Sequence, residues 1–314
     1  MHHSLALLLM AFGQIDLGFT ALLTPLEHRY TGGGYRDHLF RYRLFIPDIS
    51  DPADCKPLVV WLHGFGEAGE DNVRHLLWLE HTVFSRPWQR HRYPFFLLAV
   101  QCPVENPIWT LADKTGGDDM MEVTRDILKQ TLQEYPIDCE RVYLSGISSG
   151  GTGCWDFAIR YPEIFAAVAP IASAGGDLSR VDRLLGTPIW AFHSERDAKP
   201  PIHRVASTIA ALKDAGGIGH LTAIDSAAHD AWTSAFDEYH LLDWLLAQNR
   251  GQATSSPPPG SISISWRIAD LSKGWQWWQL VLQVSVMILL LMAGYNFLRP
   301  RRRAITDRGM HTQQ

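Results

Sequence analysis

Residues 141–151 read RVYLSGISSGG, and the interpretation of this stretch decides the fold. Arg141 to Leu144 is a short run of strand type, Gly146-Ile147-Ser148-Ser149-Gly150 satisfies G-x-S-x-G, and the following CWDFAIRYP has a helical pattern that Pro162 ends. A serine presented on a sharp strand-to-helix turn needs small residues two places before and two after it, because the backbone there is strained and neighbouring chains come close. Gly146 and Gly150 supply them. At a helix start, unpaired N–H groups and the helix dipole favour negative charge on a bound substrate, so Ser148 reads as a nucleophile. A phosphate loop is disfavoured, since no G-K-[ST] follows. The plainer alternative is a Gly-rich turn that happens to expose a serine.

Working outward, short apolar runs of strand type alternate with longer helical patterns. The runs are Leu39–Ile46, Leu58–Leu62, Phe96–Gln101, Arg141–Leu144, Ala166–Ile171, Ile189–His193 and Leu221–Asp225. From Asp118 to Tyr135, residues Met120, Val123, Ile127, Leu132 and Tyr135 share one helical face; Ile202–Leu212 and Trp232–Leu246 supply further helices. Alternation of this kind predicts an α/β domain over residues 17–249 with a mostly parallel central sheet and helices on both faces.

A serine hydroxyl becomes a useful nucleophile when an imidazole takes its proton, and that imidazole needs a carboxylate to hold its tautomer. In such folds the chain order is Ser, acid, His. Asp197 lies 49 residues after Ser148, on the segment following the run Ile189–His193, with Glu195 as its nearest competitor. His229 lies 32 residues further on, between the last strand-type run and the final helical pattern. These spacings allow the three to meet on one sheet edge. An oxyanion hole requires a second N–H from an early loop, and VVWLHGFGEAGE (59–70) ends a buried run in His63-Gly64-Phe65-Gly66. The expected donors are the backbone N–H groups of Phe65 and Ser149, and His63 is expected to be structural rather than the base. No H-E-x-x-H or C-x-x-C occurs, and His75, His81 and His91 lack ligand spacing, so neither metal nor cofactor is expected. The four cysteines have no framework-like spacing.

With 28 Lys+Arg against 33 Asp+Glu in 314 residues, the net charge of −5 gives no electrostatic basis for binding nucleic acid. Charged residues make up 19% of the chain, below the roughly 25% of an average soluble domain. One cause is Leu280–Leu298, LVLQVSVMILLLMAGYNFL, an uncharged stretch about as long as a bilayer-spanning helix. Trp275, Trp277 and Trp278 precede it, Tyr295 and Phe297 mark its far end, and Arg299, Arg301, Arg302 and Arg303 follow. Aromatic belts and the positive-inside rule predict a single-pass helix over 275–298 that contacts the lipid bilayer, with a basic tail, 299–314, in the cytoplasm. The α/β domain is then expected outside it, joined through a Pro/Ser-rich linker at 250–274. Residues 1–16 include the apolar SLALLLMAF (4–12), without preceding Lys or Arg and without a clear cleavage site, and read equally as an export signal or an apolar arm.

The segments WLHGFGEAGEDN (61–72), AVQCP (99–103), RVYLSGISSGGTGCWDFAIRYPEIFAAVAPIASAGG (141–176), PIWAFHSERD (188–197) and AAHDAWTSAF (227–236) resemble a known group. It comprises the α/β-hydrolase esterases often labelled predicted peptidases, close to feruloyl esterases and polyhydroxybutyrate depolymerases. The similarity runs from about Tyr42 to Leu246. It implies an α/β-hydrolase fold, Ser148 as nucleophile, Asp197 as acid and His229 as base, acting on small or polymer-linked carboxylic esters. Two departures touch the pocket wall: Ala68 stands where such proteins carry Arg in G-E-R-G, and Ser149 where they carry Met in G-x-S-M-G. Thioesterase, lipase or peptidase action by the same residues, and a catalytically silent binding domain at the membrane, are the alternatives.

Overall fold

The computed structural model describes residues 20–32, 37–51, 53–80, 93–109 and 120–252. All belong to the unit Met1–Ser263. Residues 1–16, the linker beyond residue 252, the expected span Leu280–Leu298 and the basic tail lie outside the described residues. Among those described, no helix is long and apolar enough to cross a membrane.

Eight strands form one sheet among the described residues: β1 (Leu23–Arg29), β2 (Leu39–Phe45), β3 (Lys56–Leu62), β4 (Phe96–Val100), β5 (Ile137–Ile147), β6 (Ala167–Ile171), β7 (Ile189–Ser194) and β8 (Gly219–Ile224). Their spatial order is β1-β2-β4-β3-β5-β6-β7-β8. β1 and β2 run antiparallel at one edge, and every pairing from β4 through β8 is parallel. The helices are α1 (Leu77–Glu80), α2 (Met120–Glu134), α3 (Ser149–Arg160), α4 (His203–Asp214), α5 (Trp232–Asp237) and α6 (Leu241–Leu246).

Side chains alternate across a strand, yet Leu58, Val60 and Leu62 are as fully buried as Val59 and Trp61 on the opposite face of β3. Helices therefore cover both faces of the sheet, and the central strands read as continuous apolar runs for that reason. On one face Val59, Trp61, Ala99, Tyr143, Trp190 and Phe192 build a core with Trp232, Phe236, Leu241 and Leu245 from α5 and α6.

Three local readings are corrected. β1, LTPLEHR, was not expected from the sequence: an edge strand with Pro25 and alternating exposed residues has little apolar signal, and pairing along all of β2 makes it a strand. β5 extends well beyond Arg141–Leu144, with a register irregularity against β3 between Lys56 and Leu58. The single helix expected over Trp232–Leu246 is two, because His240 adopts a left-handed conformation at φ 52° and turns the chain between α5 and α6. An apolar pattern that keeps helical spacing across such a turn cannot reveal it.

Candidate active site

The parallel strands β3, β5, β6, β7 and β8 end on the same edge, and the loops leaving them carry the site. β5 enters α3 through Ser148, whose φ of 54° and ψ of −115° lie outside the ordinary regions for a residue with a side chain. Such strain persists only where the surroundings over-determine it. The Ser148 N–H donates to the Ile171 carbonyl at the end of β6 (2.9 Å), and the Thr152 N–H donates to the Ser148 carbonyl (3.0 Å). The close packing of β3 explains the glycines. A Cβ on Gly150 would stand 2.0 Å from the Leu62 carbonyl oxygen and 2.5 Å from that of His63, and one on Gly146 would stand 2.6 Å from the Leu62 oxygen. The turn can therefore nest against the end of β3 only with glycine at both positions.

Asp197 follows β7. It is buried, its N–H donates to the Ser194 carbonyl (3.2 Å), and its Oδ1 accepts the Lys199 N–H (2.9 Å). The neighbouring loop after β8 is tied to it: the Glu195 N–H donates to Ile224 O (2.8 Å) and the Arg196 N–H to Ser226 O (3.0 Å). Ala228 N–H, bound to Ser226 Oγ (3.0 Å), shapes the turn that presents His229. The imidazole reaches both ways, with Nδ1 2.5 Å from Asp197 Oδ2 and Nε2 2.9 Å from Ser148 Oγ. A carboxylate only accepts, so Nδ1 carries the proton and the Nε2 lone pair faces the serine hydroxyl. Ser148, Asp197 and His229 are thus brought together as one hydrogen-bonded chain, and the carboxyl that meets His229 belongs to Asp197, not Glu195. The side chain of His229 is 37% exposed and that of Asp197 5%, so the imidazole faces the open side and the acid lies beneath it.

Several neighbours carry no recognisable motif. Trp232 stands edge-on to the His229 ring at 5.9 Å and packs in turn on Trp78. His193, fully buried, lies 3.8 Å from Asp197 Oδ2 and donates through Nε2 to the Pro200 carbonyl (2.8 Å); burial lowers its basicity and keeps it neutral beside the acid. Only the position of His193 in a strand was visible in sequence, and strand histidines are common in cores.

Phe65 opens the short 3₁₀ turn Phe65–Glu67 directly after β3, and Ser149 opens α3. Neither backbone N–H has an acceptor among the described residues. His63 is fully buried, and its two ring nitrogens bond the Gly64 carbonyl (2.7 Å) and the Cys102 N–H (2.9 Å), not Ser148. Within the described residues, no group of three His, Cys, Asp or Glu could hold a metal ion; His81 and His91 lie outside them.

Residues 40–176 match the family model described as Esterase PHB depolymerase. Feruloyl esterase B of Neurospora crassa is 29% identical over 158 residues, spanning 48% of this chain and 49% of that protein. A solved structure described as a thermostable esterase is 30% identical at a TM-score of 0.67, covering 74% of this chain and 64% of the other. The acylaminoacyl peptidase of Pyrococcus horikoshii, at 16% identity and a TM-score of 0.55 over 78% of this chain and 45% of its own, shares the fold. The chain therefore spans about half the length of the feruloyl esterase it matches. In sequence and in backbone, this is an α/β-hydrolase-fold chain similar to the esterases of the PHB depolymerase and feruloyl esterase group.

Proposed function

We propose that the protein is a serine hydrolase of carboxylic esters working through an acyl-enzyme on Ser148. The observation that carries the reading is the continuous chain from Ser148 Oγ through His229 to Asp197 Oδ2, built on a strained turn with unpaired amides beside it. His229 Nε2 takes the hydroxyl proton as Ser148 Oγ bonds to the ester carbonyl carbon, and the imidazolium is stabilised by Asp197. The carbonyl oxygen becomes an oxyanion held by the N–H groups of Phe65 and Ser149. On collapse, His229 returns the proton to the leaving alcohol, and water attacks the acyl-enzyme with His229 again as base. Thioester, lipid ester or activated amide substrates would use the same groups.

The test is covalent. A fluorophosphonate probe applied to the folded protein is expected to label Ser148, located by peptide mass. A clean blank on folded, unlabelled protein would instead favour a silent hydrolase-like binding domain.

The second part of the proposal concerns location. The uncharged Leu280–Leu298, its aromatic flanks and the four following arginines support a single-pass anchor with the C-terminus cytoplasmic and the hydrolase domain outside. A reporter that is active only in the cytoplasm, fused after Gln314, is expected to be active; activity only of a reporter that matures outside would overturn this orientation.

A further inference from the structure

The peptide that joins Gly64 to Phe65 is held on one side by two donors. The Gly64 carbonyl accepts from His63 Nδ1 at 2.7 Å and from the Glu67 N–H at 3.1 Å. The tautomer of His63 is not free to vary: Nε2 faces the Cys102 N–H at 2.9 Å, which can only donate, so the ring proton sits on Nδ1 and points at Gly64 O. The ring is enclosed, with Trp109 edge-on at 5.0 Å and the Trp109 Nε1–H bonded to the His63 carbonyl (2.8 Å). Burial lowers its pKa to about 4, which leaves it neutral with this tautomer at physiological pH.

A trans peptide is planar, and its C=O and N–H point in opposite directions. Anchoring the Gly64 oxygen toward the buried imidazole therefore turns the N–H of the same peptide, that of Phe65, away from it. The peptide lies beside the nucleophile turn. A Cβ on Gly64 would stand 3.6 Å from the side chain of Ile147, the residue before Ser148, and the carbonyl of His63 abuts Gly150. Hydrogen bonds accepted by a carbonyl also polarise the N–H of its own peptide. The preceding peptide is fixed as well, since Glu67 Oε2 accepts the Gly64 N–H at 2.7 Å. Burial pushes the Glu67 carboxyl up to about 8, so it is mostly uncharged near neutrality and puts little negative charge next to a developing oxyanion.

We propose that His63 is a positioning residue for ester hydrolysis: its Nδ1–H, by fixing the Gly64 carbonyl, aims the Phe65 N–H at the oxyanion. The inference rests on the reading of Ser148 as nucleophile and Phe65 as oxyanion donor. It predicts an effect on the transition state rather than on ground-state binding.

The experiment compares His63→Gln and His63→Asn in the full chain, with p-nitrophenyl acetate as substrate. Glutamine can still accept the Cys102 N–H but leaves Gly64 O without its ring donor, whereas asparagine places an N–H near the position of Nδ1. His63→Gln is expected to lower kcat on the order of 10–10²-fold with KM little changed, since misaimed oxyanion donors and small misplacements have effects of that size. Its affinity for an aryl trifluoromethyl ketone, which forms a hemiketal on serine, is expected to fall in parallel with kcat/KM, and His63→Asn to recover most of both. Folded His63→Gln with kcat within twofold of wild type overturns the proposal, as does an equal loss in both variants. If His63→Gln does not fold, a folded His63→Asn carries the test: near wild-type kcat supports the role, and a hundredfold loss overturns it. Ser148→Ala measured alongside separates the two levels. Turnover without the serine sinks the hydrolase reading itself, whereas an inactive Ser148→Ala beside a fast His63→Gln sinks only the role of His63.

Discussion

Ser148→Ala is expected to lower kcat for short aryl esters by on the order of 10⁶, the size known for loss of the nucleophile in a serine protease triad. Without Oγ no acyl-enzyme forms, and what remains is the contribution of oxyanion donors and binding to direct attack by water. The fold should not notice. The strained turn is held through the backbone, by Ser148 N–H on Ile171 O and Thr152 N–H on Ser148 O, and alanine keeps both bonds. A thermal midpoint within a few degrees of wild type is therefore expected, and kinetics on purified protein are the measurement. Retention of turnover within tenfold of wild type would falsify the assignment of the nucleophile.

Asp197→Asn is expected to lower kcat by on the order of 10⁴, as the equivalent change does in serine proteases. The structure supplies the reason. Oδ1 accepts the Lys199 N–H, so an asparagine keeps its oxygen there and turns its NH₂ toward His229 Nδ1, where Oδ2 now accepts. Facing a donor, Nδ1 must become the unprotonated nitrogen, and the proton moves to Nε2, which can then no longer accept from Ser148 Oγ. KM should change little, because the substrate does not touch the buried acid. The control is Glu195→Gln. Near wild-type turnover in Asp197→Asn together with an inactive Glu195→Gln would move the acid role to Glu195.

Both substitutions concern residues that the sequence suggests for different reasons and with unequal force. Ser148 was legible because its signal is local: glycines on either side, a strand before and a helical pattern after. Asp197 and His229 were legible only through chain order and position after strand-type runs, since the two residues stand 32 apart and nothing in the intervening sequence says that they touch. Their meeting depends on β7 and β8 being parallel neighbours, and on Glu195 and Arg196 bonding across to Ile224 and Ser226. Fourteen histidines carry little distinction in sequence, and burial sorts them. His63 and His193 are enclosed and neutral, while His229 faces outward with a carboxylate behind it.

The misread elements follow the same division. β1 has too little apolar character to stand out alone and exists through its pairing with β2. The break between α5 and α6 turns on one left-handed residue, His240, whose conformation leaves no mark on apolar spacing.

By itself the sequence determined the α/β alternation, the strand-to-helix turn at Ser148 with its obligatory small residues, and an uncharged C-terminal stretch of 19 residues, Leu280–Leu298. These are properties of neighbouring residues and short periods. Only the tertiary structure decided which carboxylate backs the imidazole, and that a buried histidine holds the Gly64 carbonyl while a buried carboxyl holds the Gly64 N–H. Those outcomes depend on hydrogen bonds between loops of different strands, and on desolvation that sets which groups are charged, and neither is written in the spacing of residues along the chain.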